Sequence, residues 1–187
     1  MSGHNKWSQI KTKKMATDAK KGKMFGKLAR LVALESKKAK GNMNAPGLRV
    51  VIEKAKSINM PNENIERAVK KGAGGDAGEM AEVLYEGYGP GGAAIIIEGL
   101  TDNKNRTSAE IKHLLSKHGV SLAAQGAASW VFLPAPRTAR QAGEKTPEGF
   151  IPKTFVELSK EDGESLEKLL EELEDSDDVQ EVYTNAK

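Results

Sequence analysis

Nine cations crowd the first thirty residues: Lys6, Lys11, Lys13, Lys14, Lys20, Lys21, Lys23, Lys27 and Arg30. Only Asp18 and Glu35 stand against them as far as residue 40. So many positive side chains with so few local acids suit a polyanion, because each can neutralise a phosphate and release a condensed counterion. A solvated helix face with a basic tail is the plainer reading, but it leaves the shortage of acids unexplained. Lysine dominates the cluster, and bidentate reading of guanine favours arginine, so contact with the backbone and weak sequence preference are expected. Trp7, among polar neighbours, offers a ring on which a base could stack.

A second polar run, Asp102-Asn103-Lys104-Asn105-Arg106-Thr107, leads into a helix. It has two open readings: an anion held by free N–H groups at a helix N-terminus, or a loop whose own Asp and Asn side chains satisfy those groups. With Tyr85 and Tyr88, the residues Asn103, Asn105 and Arg106 form a candidate second surface. Other chemistry is poorly represented. The chain has no cysteine, which excludes disulfides, thiolate metal sites and thiol nucleophiles. His113 and His118 are five residues apart, off one helical face, and Asp175, Asp177 and Asp178 lack a calcium-loop spacing. Gly72-x-Gly74-x-x-Ala77 follows a helix rather than a strand, so the context of a dinucleotide site fails. Gly89-Pro90-Gly91-Gly92 lacks the Lys-Ser/Thr of a P-loop and suits a hairpin turn. No metal, no cofactor and no catalytic residues are expected, and the chain does not read as an enzyme.

The elements that must position these residues follow from hydrophobic period. Residues 1–77 read as helices. Met24, Leu28, Leu31 and Leu34 recur at helical spacing, and Leu48, Val51, Ile52, Ala55 and Ile58 do so more strictly. Pro61 opens a further helix buried through Ile65, Ala68 and Val69, and Gly72 is expected to stop it. The glycine-rich run 72–78 then marks a boundary. Beyond it the period becomes that of strands at 83–88, 93–100, 127–133, 155–158 and 179–183. Capping boxes place helices from Thr107, with Glu110, and from Ser159, with Asp162. Strand, helix, strand, twice over, predicts a ferredoxin-like split βαβ sheet with an extra hairpin strand in front. The fold class is therefore α+β: an N-terminal all-α domain of three-helix type, 1–77, followed by a sheet domain, 80–187, interrupted by the Pro/Gly/Arg-rich stretch 134–150. Charge divides along the same line. Of the 187 residues, 1–80 carry a net +11 and 81–187 a net −8, so the overall +3 hides a polarised chain. No run of 18 apolar residues is present, so no membrane helix is expected; the basic start lacks the apolar stretch of a secretory signal, and a cytoplasmic location is expected.

Several motifs resemble the YebC family: Gly3-His4-Asn5-Lys6-Trp7-Ser8-Gln9-Ile10-Lys11, Asp18-Ala19-Lys20-Lys21-Gly22-Lys23, Tyr85-Glu86-Gly87-Tyr88-Gly89-Pro90-Gly91-Gly92, Thr101 to Thr107, and Asp178-Val179-Gln180-Glu181-Val182-Tyr183-Thr184-Asn185. The likeness covers nearly the whole chain apart from 134–150. It implies a cytoplasmic, DNA-binding, "probable transcriptional regulatory protein" with the basic N-terminal positions as its nucleic-acid surface. It also implies a competing role, since members include a mitochondrial activator of cytochrome oxidase translation and factors that ease synthesis of proline-rich stretches at the ribosome. The partner is then ribosomal RNA or the ribosome rather than DNA. Family members usually carry a third domain inserted in the second; here 134–150 occupies that place, too short to be a domain.

Overall fold

The computed structural model describes residues 18–75, 79–132 and 149–187. Of these, 18–75 and 79–81 group with 100–103 in one compact unit, and 82–99, 104–132 and 149–187 form the other.

The first unit is built on three helices: α1 (Asp18–Lys38), α2 (Pro46–Ser57) and α3 (Asn62–Ala73). Leu28 and Val32 of α1, Leu48, Val51, Ile52 and Ala55 of α2, and Ile65 and Ala68 of α3 share one core. None of these short helices would be stable alone, and that shared apolar face is what holds them. Proline starts two of them: Pro46 lies in the first turn of α2, and Pro61 caps α3, its extended backbone making the entry. The expected stop at Gly72 is not one. α3 runs on to Ala73, and Gly72 is buried where a Cβ would overlap the carbonyl oxygen of Ala33. Beside it the Ser36 hydroxyl donates to the Val69 carbonyl at 2.8 Å. Small residues let α1 and α3 approach closely here, and that, rather than termination, is the use of this glycine.

The second unit is a four-stranded sheet in the order β3-β1-β2-β4, with β1 Ala81–Tyr88, β2 Ala94–Thr101, β3 Leu122–Ala123 and β4 Val179–Thr184. Helix α4 (Lys104–Lys117) links β2 to β3, and α5 (Lys160–Asp175) precedes β4. β1 pairs antiparallel with β3, and β2 with β4. The β2–α4–β3 connection steps over β1, which makes it a split βαβ unit. The molecule is thus α+β, a helical region followed by a sheet region. Every residue of β2 is buried, because both faces of the sheet are covered. Ile95 and Ile97 face α4 and α5 through Ile111, Leu115, Leu166, Leu169, Leu170 and Leu173. Ala94 and Ile96 face the opposite way, onto Ala128, Val131 and Phe132. The Gly89–Gly92 turn joins the central strands as expected, with left-handed backbone at Gly91 and Gly92. The Ser159 cap is also as expected: its hydroxyl accepts from the Asp162 N–H at 3.1 Å.

Two expected strands differ. Strand 127–133 is instead a single turn of 3-10 helix over Ser129–Val131, with an isolated bridge from Phe132 to Pro152. The N–H groups of Gly126, Ala128 and Ser129 are taken by the Glu86 carboxylate, so no ladder can use them. Strand 155–158 reduces to one parallel bridge between Val156 and Ala186. The hairpin strand expected at 83–88 is present, as β1, and the edge position beside it goes to the two-residue β3. Helix α4 also begins three residues earlier than the Thr107 capping box predicts.

On the face away from α4 and α5, Phe132, Phe150 and Tyr183 pack edge to face, with centroids 6.0 and 5.3 Å apart. Tyr183 donates to Glu98 at 3.1 Å. Burial, then the nearby charges of Glu98 and Glu181, hold its phenol far above the ordinary 10.0. The proton-bound form is therefore the folded form. Its contribution to stability is whole below pH 10.0 and is lost as pH rises above that value, where the unfolded chain releases the proton first. In an alkaline titration followed at 295 nm, the Tyr183 phenolate should develop only with the loss of far-UV circular dichroism. A phenolate at this position in the folded chain would contradict the assignment.

Candidate nucleic-acid interface

Of the basic residues read from the sequence, Lys6, Trp7, Lys11, Lys13 and Lys14 lie outside the described residues. Lys20, Lys21, Lys23, Lys27 and Arg30 are on α1. Lys20, Lys23, Lys27 and Arg30 fall at i, i+3, i+7 and i+10, which places all four along one side of the helix. Leu28 and Val32, on another side, are buried in the core. Lys20 and Lys23 are exposed and Lys27 and Arg30 half-buried, and the same side continues into Leu31 and the buried Leu34.

Cations elsewhere in the unit also have local partners or close a helix. Arg49 pairs with Glu53 at 4.0 Å and Arg67 with Glu63 at 3.0 Å, each one turn away. Lys38 reaches Glu35 at 2.7 Å. Lys54 and Lys56 end α2, and Lys70 and Lys71 end α3, where a cation complements the helix dipole.

The candidate second surface is divided by the sheet. Tyr85 and Tyr88 are an odd number of residues apart on β1, so they face opposite sides. Tyr85 joins the core under α4 and α5, its hydroxyl 3.5 Å from the Lys104 carbonyl. Burial pushes this phenol up; a hydrogen bond with Ser108 opposes the shift, and the charge of Asp178 adds to it. Arg106 binds Asp178 at 2.9 Å, and the Thr107 hydroxyl donates to the same carboxylate at 2.7 Å. The anion at the start of α4 is therefore the chain's own buried Asp178. Asn103 and Asn105 are exposed, and the Asn103 N–H donates to the Thr101 hydroxyl at 2.9 Å.

Tyr88 belongs to a different cluster, which the sequence reading missed. Glu86, 2% exposed, sits two residues earlier on the same side of β1. One of its carboxylate oxygens accepts from Gly126 at 2.8 Å, the other from Ala128 at 2.7 Å and Ser129 at 2.8 Å. The Tyr88 hydroxyl donates to the Ala127 carbonyl in the same loop and accepts the Trp130 indole N–H at 3.1 Å. An acid on the inward side of a strand, with a Gly/Ala/Ser loop elsewhere to supply bare N–H groups, was the available signal. Neither half points to the other from sequence position.

His118 lies 3.3 Å from Glu172, which also takes the Lys117 ammonium at 2.8 Å. The bond from Lys117, followed by that from His118, holds the Glu172 carboxyl below its usual range. Among the described residues no group of three or more His, Asp or Glu is placed to hold a metal ion, and no helix is long and apolar enough to cross a membrane.

Comparison with known proteins adds to this geometry. A family model described as the TACO1/YebC protein N-terminal domain matches residues 5–75. A second, described as the TACO1/YebC second and third domain, matches 80–136 and 137–186. The chain is similar to a "Probable transcriptional regulatory protein" of Thermotoga maritima, with 40% identity covering 99% of this chain and 93% of the relative. A relative of the same description from Thermoanaerobacter pseudethanolicus is 41% identical, covering 99% and 96%. The Thermotoga maritima alignment runs over 236 residues, more than the 187 present here, so that relative carries residues that face none in this chain. The crystal structure of a conserved hypothetical protein from Aquifex aeolicus superposes with a TM-score of 0.81 at 35% identity, covering 98% of this chain and 97% of that one.

Proposed function

This chain belongs to the TACO1/YebC family, and from that premise we propose that it is a non-enzymatic, DNA-binding transcriptional regulatory protein of the cytoplasm that grips the phosphate backbone through its basic helical domain. The observation that carries the reading is the stripe Lys20, Lys23, Lys27 and Arg30 along α1, exposed at Lys20 and Lys23, in a stretch whose one acid before Glu35 is Asp18. The basic tail with Lys6, Trp7, Lys11, Lys13 and Lys14 extends the same charge in sequence. Residues 1–77 form the binding domain in this reading. Residues 80–187 form the partner-facing sheet domain, with 134–150 standing in place of the family's third domain. The two-piece match that breaks at 136 and the longer alignment of the relative support that division.

Affinity for a 20-base-pair duplex, measured by fluorescence anisotropy from 50 to 300 mM KCl, should fall steeply and with little dependence on sequence, as counterion release requires. No binding at 50 mM KCl would reject the reading. A second reading, a translation factor on ribosomal RNA, is favoured by one observation, the exposed Trp130 of the sheet domain, since unpaired RNA bases are recognised largely by stacking. Co-sedimentation with ribosomes at low salt, with duplex DNA as competitor, separates the two.

A further inference from the structure

Trp130 is the most exposed large apolar side chain among the described residues, at 64%. The two residues that follow it, Val131 and Phe132, are buried. An exposed indole is ordinarily left to move, but this one is held. Its N–H is spent on the Tyr88 hydroxyl, and that hydroxyl spends its own proton on the Ala127 carbonyl, so donor and acceptor are both used without conflict. The loop that carries the ring, Gly126 to Ser129, is clamped at three N–H groups by Glu86. The following turn is tied on its other side. The Lys153 N–H donates to the Val131 carbonyl at 2.9 Å, and the Lys153 ammonium to the Trp130 carbonyl at 3.2 Å. The result is a flat π surface with its one polar atom satisfied, held in orientation and exposed, with a cation bonded to the main chain of the same residue.

We propose that Trp130 is a stacking platform for an unpaired base of a single-stranded nucleic acid, with Lys153 beside it for the adjoining phosphate. Charge complementarity selects this occupant: the Lys153 ammonium, held on the main-chain carbonyl of Trp130 itself, supplies a cation for the phosphate that adjoins a stacked base. A fixed ring has little freedom to lose on binding, which is the condition for a strong stacking contact. The inference rests on the nucleic-acid reading above and deepens it, because a basic helix bound along phosphates does not by itself distinguish paired from unpaired strands, whereas a stacking ring does.

The test uses the full chain and three probes of equal length: oligouridine, oligothymidine and a DNA duplex, all fluorescein-labelled and read by anisotropy. Trp130→Leu keeps apolar bulk but removes the π face. It should weaken binding of both single strands by about 10-fold or more and leave the duplex unchanged. Trp130→Phe, which retains a ring but not the N–H that Tyr88 holds, should lose less single-strand affinity than Trp130→Leu and serves as the test if Trp130→Leu proves unstable. Equal single-strand affinity in Trp130→Leu and the unchanged chain overturns the platform while leaving the nucleic-acid reading intact, as does an equal loss on all three probes. Failure of the unchanged chain to bind any probe at low salt overturns the broader reading instead. A concentration-dependent dimer in sedimentation velocity that Trp130→Leu abolishes assigns the ring to self-association and also overturns the platform.

Discussion

Replacing Lys20, Lys23, Lys27 and Arg30 together by glutamine is expected to weaken binding to duplex DNA by about 10²- to 10³-fold near physiological salt. The slope of log affinity against log salt should flatten by about 3 to 4. Both figures follow from one count, four phosphates no longer neutralised at about 0.9 of an ion each. The helix itself should survive. Glutamine is nearly as good a helix former as lysine or arginine, and none of the apolar side chains by which α1 joins the core, Leu28 and Val32 among them, is changed. Thermal unfolding followed by circular dichroism checks that the fold is kept, and anisotropy across a KCl series gives the slope. An unchanged slope would move the binding surface elsewhere. A loss confined to particular DNA sequences would mean that these side chains read bases rather than phosphates.

The largest expected effect on stability comes from Glu86→Ala, about 3 kcal/mol or more in the sheet unit. Three backbone N–H groups lose a charged acceptor at once, and those of Ala128 and Ser129 share a single carboxylate oxygen. The Ala128 N–H is buried and poorly placed to find water in its stead, and the side chain removed also leaves a void. Glu86→Gln should cost less. Its amide oxygen can still serve Ala128 and Ser129, and only the Gly126 N–H then faces an amide NH2. Urea denaturation of the two variants beside the unchanged chain gives this order directly. An alanine variant within about 1 kcal/mol of the unchanged chain would show that the loop does not depend on this carboxylate.

Where a local pattern was sufficient, the sequence reading survived. Leu48, Val51, Ile52 and Ala55 repeat at 3.6 residues and are the buried side of α2. Ile95-Ile96-Ile97 is too apolar for a half-exposed strand and lies in one covered on both faces. Ser159 and Asp162 are three residues apart, and their cap forms between those two residues. The failures have a common cause. Thr107 carries the spacing of a cap, yet its hydroxyl turns to Asp178, 71 residues away. Residues 127–133 carry the composition of a strand, yet their N–H groups are claimed by an acid some forty residues earlier. Gly72 has the look of a helix stop and serves instead as the contact point of two helices. In each case a partner distant in sequence outbid the local preference.

The order of residues alone determined the helical and sheet regions, the polarity of charge between them and the stripe of cations on α1, because each depends on periodicity and composition within a short window. Only the tertiary structure decided that the acid at the start of α4 is Asp178, that Tyr85 and Tyr88 part to opposite sides of the sheet, and that Trp130 is held outward by Tyr88 above a loop fixed by Glu86. Those depend on which side chains meet when β1, β2 and β4 come together, and a buried carboxylate takes whichever N–H or hydroxyl donors the fold brings within about 3 Å of it.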